Sequence, residues 1–317
     1  MSTIALTLDA AFQEHRGLLW HLCYRMTGIP ADADDLVQET FLRVIERPPE
    51  RTDTDLRPWL VRVAVNLARD LLRRRRRKDY VGPWLPAAIE TGESDDGDLP
   101  AIEATVAGLG TTDGRYDLVE SVTYAFLLAL EALTPKQRAV LLLRDVFDYS
   151  ARETADALAA SEADVRTVHH RARHAMTAYD RTRRPPTRDL CEETRQALTE
   201  FVGAVFSGDA TRAEALLSED VRVVTDGGGE FNAARRPVIG RSKVTRFFSK
   251  LASRRGAAEI RVDIRLINGL PALVADFGAG RPGDPPRGVI GIDLDRNGAI
   301  RAFHSILATA KLSRIQF

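Results

Sequence analysis

The stretch TPKQRAVLLLRDVFDYSARETADALAASEADVRTVHHRARHA, at residues 134–175, holds three consecutive helix-start signals. Each signal begins with a hydroxyl side chain that can cap a first turn, at Thr134, Ser150 and Ser161. The first two caps are followed three residues later by Gln or Glu, which makes each a capping box. We therefore predict a short helix at about 151–159, a tight turn, and a longer helix at about 162–178, which is helix-turn-helix geometry.

The longer helix has the exposed face of a DNA-recognition helix. Such a helix places its exposed N-terminal residues at base edges in the major groove, and cations further along contact phosphates. We predict DNA contacts by six residues: Ser161, Glu162, Arg166, His170, Arg171 and Arg173. His170 and His174 have the spacing of a zinc pair, but no carboxylate follows His170 as it does in metalloproteases, so we predict no metal site.

Composition narrows the class of protein. The chain has 317 residues, enough for two or three domains, with 45 bases and 45 acids. It has no apolar run long enough to span a membrane, and its first ten residues contain no base, so we expect neither a membrane helix nor a secretory signal. Cys23 and Cys191 are too few for a disulfide framework or a zinc site. We expect a cytoplasmic protein without a structural metal.

Charge is strongly segregated along the chain. Residues 59–78 contain eight bases and one acid, a balance of +7, whereas residues 79–120 contain ten acids and one base, a balance of −9. The basic stretch carries more positive charges than the dipole of one helix would stabilise, so it indicates a polyanion partner. The acidic stretch has the Gly, Pro, Ser and Thr content of a linker. With a second break at 181–186, these features predict domains at 1–79, 118–182 and 188–317, and a linker at 80–117.

Helical spacing of apolar residues predicts three helices in the first domain, at about 12–26, 32–45 and 59–78. Three motifs, in these helices and in the helix-turn-helix, resemble those of one family. They are DDLVQETFLR at 34–43, WL and NLARDLLRR within 59–74, and LTPKQRAV and HRAR within 133–173. The family is the extracytoplasmic-function group of bacterial sigma-70-type transcription initiation factors.

The resemblance implies two all-α domains, sigma region 2 and sigma region 4. The acidic second helix would dock on core RNA polymerase through Asp35, Gln38, Glu39 and Leu42. Region 2 would also read the melted −10 promoter element through Arg47, Arg51, Asn66, Arg69, Arg73 and Arg74. Region 4 would read the −35 element as duplex. The family often has Leu-Gly before the recognition helix; this chain has Ala159-Ala160, so we expect a tighter or shifted turn.

The third domain begins with helical spacing and continues with strand-like alternation. Helices are predicted at about 189–206 and 241–251, and strict alternation over 259–266 predicts a strand. The pair Asn268-Gly269 then predicts a hairpin turn. We predict an α+β cone in which an antiparallel curved sheet faces the helices across a pocket. This domain resembles the SnoaL-like fold, which is fused to the sigma regions in one subgroup of the family.

Three signatures of that subgroup recur in this chain. They are Trp84, Leu85 and Pro86 in the linker, Asp226 with Gly227, Gly228 and Gly229, and Lys311 with Leu312 near the C-terminus. The chain departs from the subgroup at 87–88 and 308–310. Three successive glycines exceed the need of a plain turn and favour close approach of another segment. The resemblance implies that these residues make regulatory contacts, so that the fused domain makes a separate anti-sigma factor unnecessary.

The pocket of the third domain leaves alternatives open. Asp226, Asp276 and His304 are its candidate acid–base residues. One alternative is a ligand-sensing helix-turn-helix regulator that binds duplex DNA without polymerase. Another is a SnoaL-like enzyme with an accessory DNA-binding head. Our prediction is a non-enzymatic sigma factor without a cofactor, whose partners are core RNA polymerase and promoter DNA, with a small-molecule ligand in the pocket left open.

Overall fold

The computed structural model describes residues 2–46, 56–74, 80–91, 115–255, 260–278 and 280–317. The chain divides into two compact units. The first unit comprises residues 1–76, 93–122 and 126–180. The second unit comprises residues 181–317 together with two short stretches from earlier in the chain, 77–92 and 123–125. Composition alone does not indicate that part of the acidic linker belongs to the C-terminal unit.

The first unit is built from helices, as predicted. Its N-terminal part contains α1 (Ser2–Thr27), α2 (Pro30–Glu46) and α3 (Arg57–Arg74). A short helix, α4 (Tyr124–Ala129), precedes α5 (Pro135–Asp145), α6 (Ala151–Leu158), α7 (Glu162–Ala175) and α8 (Thr177–Thr182). The first two residues of α4 and the last two of α8 belong to the second unit. Among the described residues, no helix is both long and apolar enough to cross a membrane.

Local capping fixes the start of α5 and of the two helices of the helix-turn-helix, α6 and α7. Thr134 and Ser150 both form complete capping boxes, and the Ser161 side chain accepts a hydrogen bond from the backbone N–H of Asp164. The turn before α7 contains Ala159 at φ 50° and ψ 49°, in the left-handed region. Alanine here adopts the conformation for which a helix end normally uses glycine, so the turn carries backbone strain.

The second unit packs helices against a six-stranded sheet. Its helices are α9 (Arg188–Ser207), α10 (Ala210–Ala215) and α11 (Arg241–Arg255). Its strands are β1 (Leu217–Asp226), β2 (Val238–Ile239), β3 (Arg261–Ile267), β4 (Leu270–Asp276), β5 (Arg287–Leu294) and β6 (Ile300–Ile306). The strand order is β2-β1-β6-β5-β4-β3. The core between helices and sheet includes Leu198, Phe201, Val223 and Phe303.

The prediction of an antiparallel sheet was wrong at one pairing. Strands β3 to β6 form an antiparallel meander, and the predicted hairpin at Asn268-Gly269 joins β3 to β4. Strand β1, however, pairs with β6 in parallel. Helix α11 and four strands separate these two in sequence, and so long a connection permits parallel pairing. The C-terminal ends of β1 and β6 therefore lie side by side, with Asp226 opposite Ile306.

Candidate nucleic-acid interface and buried clusters

The outer face of α2 presents the predicted polymerase-binding residues. Asp35, Gln38 and Leu42 are exposed, whereas Glu39 is half-buried and accepts a hydrogen bond from the Arg43 guanidinium at 3.0 Å. The same end of the helix exposes the apolar Ile45 side chain. A groove between α1 and α2 runs beside these residues and is lined by further apolar side chains, among them Phe12, Trp20 and Phe41. Exposed apolar residues rimmed by acids are typical of a protein-docking surface.

The C-terminal half of α3 gathers four of the predicted −10 residues. Arg69 donates a hydrogen bond to Asn66 Oδ1 at 3.1 Å, and Arg73 pairs with Asp70 at 3.2 Å. Burial, reinforced by the neighbouring Arg73, lowers the pKa of the Arg69 guanidinium. Arg74 is exposed at the helix end. The other two predicted residues, Arg47 and Arg51, lie outside the described residues.

The exposed face of α7 carries most of the predicted −35 residues. Glu162 and Arg166 form an ion pair at 2.7 Å one turn apart. Ser161 is used as the helix cap, while His170 and Arg171 are exposed. Cations at the exposed face of a recognition helix suit contacts to base edges and phosphates.

A buried carboxylate engages the sixth predicted −35 residue. Arg173 donates two hydrogen bonds to Asp145, at 2.5 and 3.1 Å, and His169 Nε2 lies 2.9 Å from Asp145 Oδ2. We call Asp145, His169 and Arg173 the Asp145 cluster. Burial alone would raise the pKa of Asp145, but the hydrogen bonds from His169 and Arg173 outweigh it and lower that pKa. The cluster ties α5 to α7, and sequence reasoning missed Asp145.

Two buried arginines connect the N-terminal helices of the first unit with its C-terminal half. Arg25 donates to Ser121 Oγ at 2.6 Å and to the carbonyl oxygen of Leu118 at 2.7 Å. Arg138 donates to the carbonyl oxygen of Met26 at 2.7 Å. In both, burial lowers the pKa of the guanidinium. Each buried charge is satisfied mainly by fixed oxygen atoms, and losing one would leave the charge uncompensated.

The second unit contains a cluster around Asp226, which is fully buried. Asp226 Oδ1 accepts hydrogen bonds from Tyr80 Oη at 2.5 Å and from the backbone N–H of Gly228 at 3.0 Å. Asp226 Oδ2 accepts from the backbone N–H of Leu85 at 2.8 Å and from Lys311 Nζ at 2.6 Å. We call Asp226, Tyr80, Leu85 and Lys311 the Asp226 cluster. Three separate segments of the chain meet there on one carboxylate.

Aromatic side chains enclose the lysine of this cluster. Lys311 Nζ lies 4.6 Å from the Tyr80 ring centroid and 4.5 Å from that of Trp84, within cation–π distance. It also donates to the carbonyl oxygen of Leu85 at 2.6 Å. Burial and the hydrogen bond to Asp226 raise the pKa of the Tyr80 phenol, so Tyr80 stays a donor. Tyr80 was not among the predicted residues, since it precedes the recognised linker motif.

The three glycines after Asp226 are closely packed. A Cβ atom on Gly227 would lie 2.7 Å from Ala233 Cβ, and one on Gly228 would lie 2.9 Å from Ala308 Cβ. Gly228 and Gly229 have φ of 59° and 79°. A Cβ atom on Gly229 would lie 3.2 Å from Val81 Cβ. Gly228 and Gly229 therefore both combine a left-handed backbone with a close neighbour, which favours glycine.

The remaining predicted regulatory residues line the same region. Leu85 and Pro86 are buried, and Leu312 is buried near Lys311. The backbone N–H of Ala88 donates to the carbonyl oxygen of Lys311 at 3.0 Å. Further along, Asn268 holds the linker stretch by accepting from the backbone N–H of Ile89 at 3.0 Å. The structure thus brings together all three predicted motifs within the second unit.

A largely apolar cavity of about 180 Å³ lies between the helices and the sheet of the second unit. Of the described residues, those in its wall include neither Asp276 nor His304. His304 points to the opposite face of the sheet, where its Nε2 lies 3.1 Å from Asp293 Oδ2. Asp276 lies at the end of β4, 3.9 Å from the Arg287 guanidinium. Nor do three His, Cys, Asp or Glu side chains gather as a metal site in the described part of the chain.

Comparison with known proteins adds independent evidence. The family model for Sigma-70 region 2 matches residues 11–78, and that for Sigma-70, region 4 matches residues 124–176. The ECF RNA polymerase sigma factor SigJ of Mycobacterium tuberculosis is 34% identical over 279 residues, which cover 86% of this chain and 81% of that protein. SigG of the same organism is 36% identical over 225 residues, 65% of this chain and 57% of SigG.

A solved structure resembles the fold over most of the chain. The crystal structure of Mycobacterium tuberculosis SigJ superposes with a TM-score of 0.73 at 29% identity. The match covers 96% of this chain and 98% of the SigJ chain. The likeness therefore extends over both units.

Proposed function

This chain belongs to the extracytoplasmic-function sigma factors of RNA polymerase, and we propose that its second unit controls how it directs transcription initiation. In the free protein, regions 2 and 4 would be packed together in a closed state, and the second unit would control their separation. The predicted family, the predicted fold class and the sigma-factor function are confirmed by the two family models and by the likeness to SigJ. These findings do not favour the polymerase-independent regulator or the enzyme. The sigma-factor family is not a family of enzymes, and we assign no catalytic role to Asp276 or His304.

Region 2 would bind core RNA polymerase, in the cytoplasm, through the outer face of α2. The exposed Asp35, Gln38 and Leu42 and the adjacent Ile45 support this assignment, because they place acids around an apolar centre. An interface of this kind gains affinity from the apolar centre and specificity from the charged rim.

Promoter contacts would come from α3 and α7. Asn66, Arg69, Arg73 and Arg74 would follow the melted −10 strand, and the exposed residues of α7 would enter the major groove of the −35 element. Within α7, His170 and Arg171 are available, whereas Arg173 is bonded to Asp145. We therefore assign Arg173 mainly to orienting α7.

The packing within the first unit supports a closed state. The nominal positions of the two promoter elements, −35 and −10, are about 25 base pairs apart, which is roughly 85 Å of duplex at 3.4 Å per base pair. A compact unit of about 160 residues has a radius of gyration of roughly 15 Å. Regions 2 and 4 must therefore separate before both elements are read, which requires the contacts of Arg25 and Arg138 to break.

The Asp226 cluster would control that separation through the linker. Residues 80–91 form the first part of the linker between region 2 and region 4 and are held in the second unit by Asp226, Lys311 and Asn268. While this stretch is held, less of the linker is free to extend, and a tether shorter than its span forbids simultaneous binding. Regulation within one chain would replace a separate anti-sigma factor.

The proposal is tested by run-off transcription with purified core polymerase and the full-length chain. Templates are genomic fragments, including the region upstream of its own gene. We expect promoter-specific transcripts, and we expect the double charge reversal Asp35→Arg with Glu39→Arg to abolish them. Glu192→Arg, at an exposed acid of α9, is the matched control and should leave transcription unchanged.

Circular dichroism and the thermal midpoint verify that the α2 variant folds. A folded variant that still supports transcription would refute the polymerase-binding assignment. No transcript and no polymerase binding by the unaltered chain would refute the proposed function.

A further inference from the structure

The cavity of the second unit has the dimensions and lining of a small-molecule site. Its volume is about 180 Å³, and its walls are mainly aliphatic and aromatic, with Phe201, Phe247, Phe248 and Phe303 among them. An apolar cavity of about 150 Å³ in another protein stays dry and binds benzene. By that comparison, this cavity accommodates a molecule with one ring or with two fused rings.

One wall of the cavity carries hydroxyl groups. Thr225 on β1 and Ser305 on β6 are direct neighbours in the parallel pairing, and both line the cavity. Both residues are buried, and Thr225 Oγ1 has no hydrogen-bond partner among the residues that the structure describes. A buried hydroxyl without a partner is unfavourable, and a ligand atom would satisfy it.

Polar residues at the protein surface also line the cavity. Of these, Asn232 and Arg254 are exposed, and Asp284 is partly exposed. An apolar interior, a few placed polar atoms and a polar rim are the usual features of ligand sites. We propose that the cavity binds an uncharged molecule of one to two fused rings, carrying one hydroxyl or carbonyl group that hydrogen-bonds to Thr225.

The ligand site adjoins the Asp226 cluster directly. Thr225 precedes Asp226 on β1, and Leu307, another cavity residue, donates its backbone N–H to the carbonyl oxygen of Asp226 at 2.8 Å. A ligand that fixes Thr225 and Leu307 stabilises the end of β1 and with it the bonds of Asp226 to the linker. A ligand shifts such an equilibrium by its differential affinity for the two states. Occupancy therefore strengthens the held state of residues 80–91; only this coupling rests on the regulatory role proposed above.

Binding is measured by isothermal titration of the full-length chain with 2-naphthol, and with naphthalene as the analogue that lacks the hydroxyl. We expect saturable binding of both, with 2-naphthol about tenfold tighter, the effect of one added hydrogen bond. Thr225→Val should weaken 2-naphthol about tenfold and leave naphthalene unchanged. Thr225→Ser restores the hydroxyl and should restore the preference.

A variant that fills the cavity tests its location. Ala252→Phe adds a ring from a partly exposed position of α11 that lines the cavity. We expect it to abolish binding of both probes. Binding that survives Ala252→Phe, equal loss of both probes in Thr225→Val, or the absence of saturable binding to the unaltered chain would each overturn the site.

The coupling is measured by chymotrypsin cleavage after Trp84, read by mass spectrometry. Saturating 2-naphthol should slow this cleavage at least fivefold in the unaltered chain and not in Ala252→Phe, which does not bind the probe and so controls for any effect of 2-naphthol on the protease. An unchanged rate at saturation would overturn the coupling. These outcomes need no polymerase, so they are separate from a failure of the chain to initiate transcription.

Discussion

Asp145 in the first unit and Asp226 in the second are buried carboxylates with similar chemistry. They differ in how far along the sequence their bonding partners lie. Each is almost fully buried and bonded to a cationic side chain. The side-chain partners of Asp145, at the end of α5, lie 24 and 28 residues away on α7 of the same unit. Those of Asp226 lie 85 and 146 residues away, on separate segments. The Asp145 cluster therefore stabilises the packing of neighbouring helices. The Asp226 cluster holds together segments that are distant in sequence, so it breaks when those segments separate.

The largest effect is expected from Asp226→Asn. The change leaves the Lys311 ammonium buried without its carboxylate, and breaking a buried pair in this way costs about 3–5 kcal/mol. We expect the free energy of unfolding of the second unit to fall by that amount and chymotrypsin cleavage after Trp84 to increase. Urea denaturation followed by circular dichroism measures the first effect.

The double variant Asp226→Asn with Lys311→Met is the control for this prediction. It removes the uncompensated charge as well, so it should recover part of the loss, since replacing a buried pair by uncharged groups is often close to neutral. Strictly additive losses would contradict the proposed pairing.

A smaller loss is expected from Asp145→Asn, about 2–3 kcal/mol for charge-assisted hydrogen bonds. Arg173 is half-exposed and can be hydrated, which limits the cost. The loss should appear in urea unfolding of the first unit, with cleavage after Trp84 unchanged. Asp164→Asn is the matched control, because its ion pair with Lys136 is solvent-exposed and contributes at most about 1 kcal/mol. Equal losses in the two variants would contradict the assignment.

The Asp145 cluster also predicts a dependence on pH. The pKa of Asp145 is lowered in the folded state, so the unfolded chain binds more protons at acidic pH. The stabilisation is fully present above the ordinary aspartate pKa of about 3.9 and is lost as the pH falls through the lower folded pKa. Urea midpoints of the unaltered chain between pH 6 and pH 3 should therefore fall more steeply than those of Asp145→Asn; parallel curves would refute this.

The smallest effect is expected from Ala159→Gly, a stabilisation of up to about 1 kcal/mol. Ala159 has a left-handed backbone, whose strain glycine relieves, although glycine also makes the unfolded chain more flexible. We expect a rise of a few degrees in the thermal midpoint. Ala160→Gly, whose backbone is not left-handed, should lower the midpoint instead. If both changes lower it, the strain at Ala159 is not significant.

Features fixed over a few residues could be predicted from the sequence. The capping boxes at Thr134 and Ser150 depend on a spacing of three residues, and the turn at Asn268-Gly269 depends on two. The helices of both sigma regions follow from apolar periodicity and were confirmed. Asp226 was selected only through the family resemblance, because nothing in its local sequence indicates a lysine 85 residues further on.

Features that depend on distant pairing could not be predicted. Burial of Arg25 depends on Ser121, 96 residues away, and an arginine on an amphipathic helix is normally expected at the surface. The parallel pairing of β1 with β6 depends on how a long connection folds back, which strand periodicity does not specify. The same is true of Tyr80, which resembles any linker tyrosine until Asp226 is placed beside it.

The residues of the Asp226 cluster are far apart in sequence, which has a consequence for biosynthesis. Lys311 is added to the growing chain 226 residues after Leu85 and 85 residues after Asp226. At about 5–20 residues per second, the synthesis of Lys311 follows that of Leu85 by roughly 11–45 seconds. Both promoter-binding regions are complete before then, so the nascent first unit closes through its own contacts, those of Arg25 and Arg138 among them. Each newly made molecule therefore passes through an interval in which its linker is still free, and the rate of translation sets the length of that interval.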